Sequence, residues 1–400
     1  MVAPLQIGAD AEPIAPDWDV ILVGARCGGA AAALCLARRG LRVLVLERGR
    51  YGSDTLSTHA LMRPAVHQLH RWGVLDGLWQ SGVPAVRATT FYYDGAVTSV
   101  PIKARGGVPA LLAPRRTLLD AALVDAARRA GARVEHGFLV QELLTQGAGQ
   151  VLGVVAQRRG EQPRQFRAPL VVGADGRSSS VARWVGAEPY RVGRHRCATM
   201  YGYFRGVDAP AAEPVGYHWY FAPQVSASLI PTAGGLWCVA ASLPAGSPEL
   251  RGPRDPAALL QRCVARTSGE LAARLTRAEL VGNVHSFAGM AGYLRPCHGP
   301  GWALVGDAGS FRDPGTAHGI SDAFRDAELL AAAVAAGSEA ALRHYQEARD
   351  ELCGGIFDVT DAIAAFDWDM AGLAQLHQRL STEMQRELAS LPPADTNSNP

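Results

Sequence analysis

Four hundred residues suffice for one large α/β unit with an inserted piece, or for two domains. A hydrophobic content of 48% against 19% charged residues excludes disorder for the bulk of the chain. The 39 basic and 37 acidic residues leave a net charge of +2 with no dense basic run, which removes nucleic acid as an expected partner.

Residues 1–16, MVAPLQIGADAEPIAP, lack periodicity and read as a loose tail, as does LPPADTNSNP at 391–400. No signal-peptide pattern is present, and the seven cysteines (Cys27, Cys35, Cys197, Cys238, Cys263, Cys297 and Cys353) form no CxxC pair. Disulfides and a zinc site are therefore not expected, no metal ligand set is assigned, and a reducing cytoplasm is the expected compartment. The longest apolar run, near 28–37, is too short for a bilayer, so no membrane is expected as a partner. Lys103 is the single lysine.

From Asp17 the pattern sharpens. DVILVG predicts a buried strand, GARCGGAAAALCLARRG a small-residue helix ended by Gly40, and LRVLVLE a second buried strand. This β-turn-α-β run opens a doubly wound parallel sheet. Its turn is Gly24-Ala25-Arg26-Cys27-Gly28-Gly29. Gly24 permits the tight turn, Gly29 permits close approach of helix and strand, and the helix N-terminus suits a pyrophosphate. Arg26 stands where GxGxxG has its middle glycine, and its guanidinium can pair with phosphate instead. Glu47 ends the second strand, where its carboxylate can accept ribose hydroxyls, and Arg48 beside it is counted with the cofactor set. A strand–helix junction without ligand is the alternative reading of the same turn.

PRRTLLDAALVDAARRAG at 114–131 predicts an amphipathic helix with Leu119, Leu123, Ala126 and Ala127 on one face. ARVEHGFLVQELL, VLGVVAQ and APLVVGADG read as strands, the last running into Asp175-Gly176. Between 190 and 290, TMYGYFRG, YHWYFAP and LWCVAAS alternate as a largely antiparallel sheet does. Tyr203, Tyr217, Trp219 and Phe221 are candidate substrate contacts, the last three sharing one strand face, with ordinary core packing as the alternative. GWALVGDAG returns to a buried strand, GISDAFRDAELLAAAVAAG predicts a helix, and helical pattern continues to about 389, a candidate dimer surface.

In this order the Gly24 turn, the Asp175-Gly176 segment and Gly306-Asp307 followed by Asp313-Pro314-Gly315 resemble FAD-dependent monooxygenases of the para-hydroxybenzoate hydroxylase type, over roughly 17–385. Within them the chain is similar to a branch carrying GARxxG, SDTLSTH (here Ser53–His59) and DPxTAxGISDAFRDAELLA (here from Asp313). The resemblance implies a Rossmann-like FAD domain over 17–84, 105–188 and 288–335, interleaved with a mostly antiparallel substrate domain over 85–104 and 189–287, then C-terminal helices over 336–390. It implies FAD as cofactor, NADPH or NADH as electron donor, and oxygenation of a small aromatic molecule by O2 in natural-product metabolism. A homodimer and a separate flavin reductase stay open as partners.

Carried over residue by residue, the resemblance places Gly306 and Asp307 at the FAD ribityl and phosphate region and Arg116 at the ribityl–pyrophosphate arm. It places Val140 at the adenine, and Asp175, Gly176 and Arg177 at the pyrophosphate and NAD(P)H. Pro314, Gly315, His318 and Gly319 would lie against the isoalloxazine, where a helix N-terminus stabilises negative charge. His318 replaces a glutamine common in the family. Ser57 stands where many members carry an arginine, a charge Arg26 can supply. His59 and His318 are the candidate catalytic residues, each with a structural role as its alternative.

A halogenase would need a WxWxIP segment, which is absent, and an active-site lysine, for which Lys103 is not placed. Tyr217-His218-Trp219-Tyr220-Phe221-Ala222-Pro223 is close to the YxWxFP of geranylgeranyl-reductase-like enzymes, so flavin-dependent reduction of a carbon–carbon double bond remains an alternative. A redox-silent binding protein on the same scaffold is the third reading.

Overall fold

A computed structural model describes residues 5–6, 17–147, 149–207, 215–251 and 255–392. Apart from residues 5–6 and 391–392, the two expected tails lie outside the described residues. Among the described residues no helix is long and apolar enough to cross a membrane.

The expected doubly wound unit is present. Its six-stranded sheet runs His298–Gly299, Trp302–Leu304, Leu170–Gly173, Val20–Val23, Val43–Glu47, Arg133–His136. All pairs are parallel except the first. VILV and VLVLE are buried along their whole length, as strands covered on both faces must be. The helix Cys27–Ala37 buries ten of its eleven residues, so it is apolar all round and not amphipathic. It is sandwiched between the helices Arg116–Arg129 and Gly319–Ala336, and its alanines keep those neighbours close. Where it starts, a Cβ on Gly29 would lie 1.9 Å from the Gly24 carbonyl oxygen, and Gly24 itself has φ +102°. Only glycine fits either position.

The second sheet has seven strands, in the order Glu279–Phe287, Cys197–Arg205, Leu236–Pro244, Val225–Pro231, Gly216–Ala222, Ala88–Tyr93, Ala96–Pro101. It is antiparallel except where Gly216–Ala222 meets Ala88–Tyr93 in parallel. The helices Pro256–Thr267 and Gly269–Leu275, not anticipated from the alternation at 190–290, cover one face of it with Leu260, Val264 and Leu271. Asp255 and Ser268 cap them, a signal present in the sequence. The helices Glu339–Ala364 and Met370–Ser390 cover part of the other face through Ile356, Val359, Leu373 and Leu380.

This packing corrects one expectation. Tyr217 is fully buried, and its hydroxyl donates to the Leu112 carbonyl at 2.8 Å. Trp219 donates its indole N–H to Thr89 Oγ1 at 3.0 Å. Phe221 packs against Trp368 and His377. None of the three lines the cavity described below, because the strand face that carries them is covered by the loops around Leu61 and Leu112 and by the C-terminal helices. Phe221→Ala should therefore cost about 3–5 kcal/mol of stability in chemical denaturation, as core Phe truncations do. The KM of the folded variant should stay unchanged; a raised KM at full stability would return Phe221 to the substrate.

Candidate functional site

One cavity opens at the carboxyl ends of three adjacent parallel strands. Arg26 to Gly28 follow Val20–Val23, Ala174 to Arg177 follow Leu170–Gly173, and Val305 to Asp307 follow Trp302–Leu304. This is where ligands bind in open α/β sheets. The facing wall comes from the loop Leu56–Ala60, from Thr199 and Tyr201 of the second sheet, from Phe287 and Phe311, and from Pro314 to Ile320.

At the phosphate-like end the helix Cys27–Ala37 points its unbonded N–H groups at the cavity. Gly28 leaves the approach open, since a Cβ there would meet nothing nearer than 3.6 Å. Arg26 lines this end, although its guanidinium is also engaged with Asp120 Oδ2 (3.1 Å) and Ser53 Oγ (3.1 Å). Asp120 simultaneously accepts from Arg116 Nε (2.9 Å) and from the Cys27 thiol (3.1 Å). One buried carboxylate thus aims two arginines, Arg26 and Arg116, at the same lip. Asp120 escaped the sequence reading. The available signal was an acid next to Leu119 on the apolar face, four residues after Arg116.

Glu47 is buried, accepting the N–H of Ala25 (2.7 Å) and of Gly49 (2.6 Å), so it braces the glycine turn. Arg48 is exposed. Asp175 turns to the helix Ser180–Trp184, accepting from Ser179 Oγ and Ser180 N at 2.6 Å each, while Gly176 with φ +80° lines the cavity. Arg177 stacks on Phe287 at 4.7 Å. Val140 is buried at a register shift in the strand Phe138–Gln146, away from this cavity. Lys103 is exposed and also outside it.

Asp307 follows Gly306, whose φ is +57°. Its half-buried carboxyl accepts no hydrogen bond among the described residues. Burial and the Asp322 carboxylate push it up to about 6, against the pull of Arg116, Arg177 and Arg312. A carboxylate left short of donors at a cavity wall suits the hydroxyl-bearing arm of a dinucleotide. With the glycine turn and the arginine-lined lip, these residues fit FAD.

The far end is built on strain. Ala317, with φ +51°, and His59, with φ +47°, are non-glycine residues in the left-handed region, and both line the cavity. Pro314 and Gly319 flank Ala317 at the wall, whereas Gly315 donates its N–H to Asp313 Oδ1 and lies just behind. His59 is buried, its Nε2 3.0 Å from the Tyr203 hydroxyl and its ring stacked on Tyr203. Burial and the neighbouring arginines lower its pKa to about 3 despite Asp54, so the ring is neutral. Tyr203, like the other three expected substrate residues, does not line the cavity; it touches the wall residue His59. His318 lines the cavity and pairs through Nε2 with Glu387 of the last helix. Glu387 was also missed. It continues the apolar stripe Leu373, Leu376, Leu380, Met384, and an acid in such a stripe was its signal.

A family model for the FAD binding domain matches residues 17–359, and the chain belongs to this family of FAD-dependent oxidoreductases. The chain is 29% identical over 334 residues to the digeranylgeranylglycerophospholipid reductase of Methanothrix thermoacetophila, covering 80% of this chain and 79% of that one. It is 25% identical over 348 residues to squalene epoxidase of Schizosaccharomyces pombe, covering 84% and 73%. Its fold matches that of a flavin-dependent brominase with a TM-score of 0.78 at 19% identity, covering 95% of each chain.

Asp307 yields a signed expectation. Its folded pKa is raised, so its contribution to stability is full below about 4, its unfolded value, and is lost as pH rises through about 6. Asp307→Asn should therefore stabilise the cofactor-free protein at neutral pH by about 1–3 kcal/mol. The same change should weaken FAD binding about tenfold or more by fluorescence titration. Unchanged affinity would remove Asp307 from the cofactor site.

Proposed function

We propose that the chain uses FAD to oxygenate a small aromatic or similarly unsaturated molecule, with electrons from NADPH or NADH. The observation that carries this reading is the wall opposite the phosphate-like end. Leu56, Tyr201, Phe287, Phe311 and Ile320 make it apolar and aromatic, and no lysine enters it. When bound, FAD supplies hydride acceptance and oxygen activation.

The chain's own residues divide the remaining work. Arg26, Arg116 and the helix N-terminus at Cys27 hold the pyrophosphate, and Glu47 and Asp307 take hydroxyl groups. The turn Pro314–Gly319 carries the ring end, where the N-terminus of the helix Gly319–Ala336 favours negative charge. The apolar wall excludes water and receives a flat substrate. The neutral His59–Tyr203 pair holds a proton between Tyr203 Oη and His59 Nε2, with the His59 ring at the cavity wall.

The 29% likeness to a prenyl-lipid reductase supports a second reading, reduction of a carbon–carbon double bond. Here the Tyr203 hydroxyl, held neutral by burial, is the available proton donor. FAD-reconstituted protein supplied with NADPH or NADH, oxygen-18 gas and a panel of phenols, fused-ring aromatics and isoprenoid alkenes separates the two by product mass. One labelled oxygen per product is the expected result. Two added hydrogens without oxygen uptake would select the reductase, and no product despite fully reduced flavin would overturn both.

A further inference from the structure

We propose that Glu387, brought in by the helix Met370–Ser390, is a positioning residue that holds His318 as a two-donor imidazolium and presents its Nδ1–H to the flavin end of the cavity. The proposal rests on the isoalloxazine lying at the Pro314–Gly319 turn; it does not depend on which reaction the enzyme performs.

The geometry is one of enclosure. His318 and Glu387 are 1% and 0% exposed. Nε2 of His318 bonds Glu387 Oε2, which fixes the ring plane and leaves Nδ1 buried with no partner among the described residues. His318 lines the cavity, so an orphaned ring nitrogen there is a donor or acceptor awaiting a ligand.

Charge decides which. Glu387 Oε1 accepts from Arg325 Nη1 at 3.0 Å. Arg325 also bonds Asp322 Oδ1 (2.7 Å) and Asp326 Oδ1 (2.9 Å), and Arg312 bonds Asp322 Oδ1 at 2.9 Å. The connected set holds three carboxylates against two guanidiniums, and every member is 5% exposed or less. A neutral His318 would leave one uncompensated negative charge in the interior, whereas an imidazolium makes the set neutral. The other charges facing it are Asp307 on the preceding turn and Arg349 on the helix Glu339–Ala364. Arg349 is matched by Asp350 at 2.7 Å, so it adds no surplus. The Glu387 carboxyl is buried yet held below its usual range by His318, Arg325 and Arg312.

A metal at this place is a poorer account. His318, Asp322 and Glu387 offer ligand atoms within 4.8 Å of one another. The two guanidiniums already occupy both carboxylates, and a dication would add charge to a set that one proton neutralises.

An imidazolium beside the helix N-terminus reinforces the positive potential there. It is the nearer charge of the pair, with Glu387 behind it, so a reduced, anionic ring is favoured over the oxidised one. The test uses the FAD-loaded protein with nitrogen-15 histidine. Both ring nitrogens of His318 should carry protons at about pH 7 in the wild type. In E387Q one should lose its proton, and the midpoint potential of bound FAD should move to more negative values, with E387D restoring part of the shift. Loss of a merely structural contact would leave the protonation pattern unmoved. If E387Q does not fold, the wild-type spectrum and the potential of H318Q decide. A neutral His318 in the wild type overturns the proposal. A protonated His318 with an unshifted potential in H318Q overturns the placement of Nδ1–H at the flavin. Neither readout requires turnover, so failure of the oxygenation reading would leave this test intact.

Discussion

The backbone of Gly29 rests against the carbonyl of Gly24 with no room for a side chain between them. From that contact the first helix takes its seat on the sheet, and its N–H groups reach the mouth of the cavity. The alanines behind it let Arg116–Arg129 and Gly319–Ala336 close in from either side. Those two helices carry Arg116 and Asp120 to the phosphate-like end of the cavity and Asp322 and Arg325 to its far end. Most of the site's charge is thus placed by how closely small residues allow helices to pack.

A second constraint joins the two sheets. Asp313 accepts the Cys197 N–H at 2.7 Å with one oxygen and the Gly315 N–H at 3.0 Å with the other. The strand Cys197–Arg205 of the antiparallel sheet is therefore tied to the turn proposed to hold the flavin ring. Tyr201 reaches the same region, its hydroxyl accepting the Ser57 N–H at 3.1 Å. The facing wall of the cavity and the turn proposed for the flavin are parts of one hydrogen-bonded frame.

The parts legible in the sequence are those governed by neighbours along the chain. VILV, VLVLE and the glycine turn declare themselves through continuous hydrophobicity and φ requirements that are local. The mixed α/β class follows from them. Tyr217, Trp219 and Phe221 share a strand, as their alternation predicts, but alternation names a face and not what covers it. The parallel pairing of Ala88–Tyr93 with Gly216–Ala222 joins segments that have the strands Arg133–His136 and Leu170–Gly173 of the other sheet between them, and no short-range pattern records it. Asp120 and Glu387 were hidden for the same reason. Each looks like an ordinary helical acid until its partners, Arg26 and His318, are brought in from 94 and 69 residues away.

The interleaving also sets an order for folding during synthesis. The strand Trp302–Leu304 pairs directly with Leu170–Gly173 in the heart of the sheet, so the cofactor-side core stays open until residue 304 has left the ribosome. Such long-range pairing is slow and leaves apolar edges exposed while it waits. The ionic set of Arg312, Asp322, Arg325 and Asp326 forms next, and Glu387, 62 residues after Arg325, joins it later. The helix Met370–Ser390 therefore supplies the final partner of this set. A product truncated before it would keep both sheets, yet would bury a guanidinium short of one partner and a histidine with none.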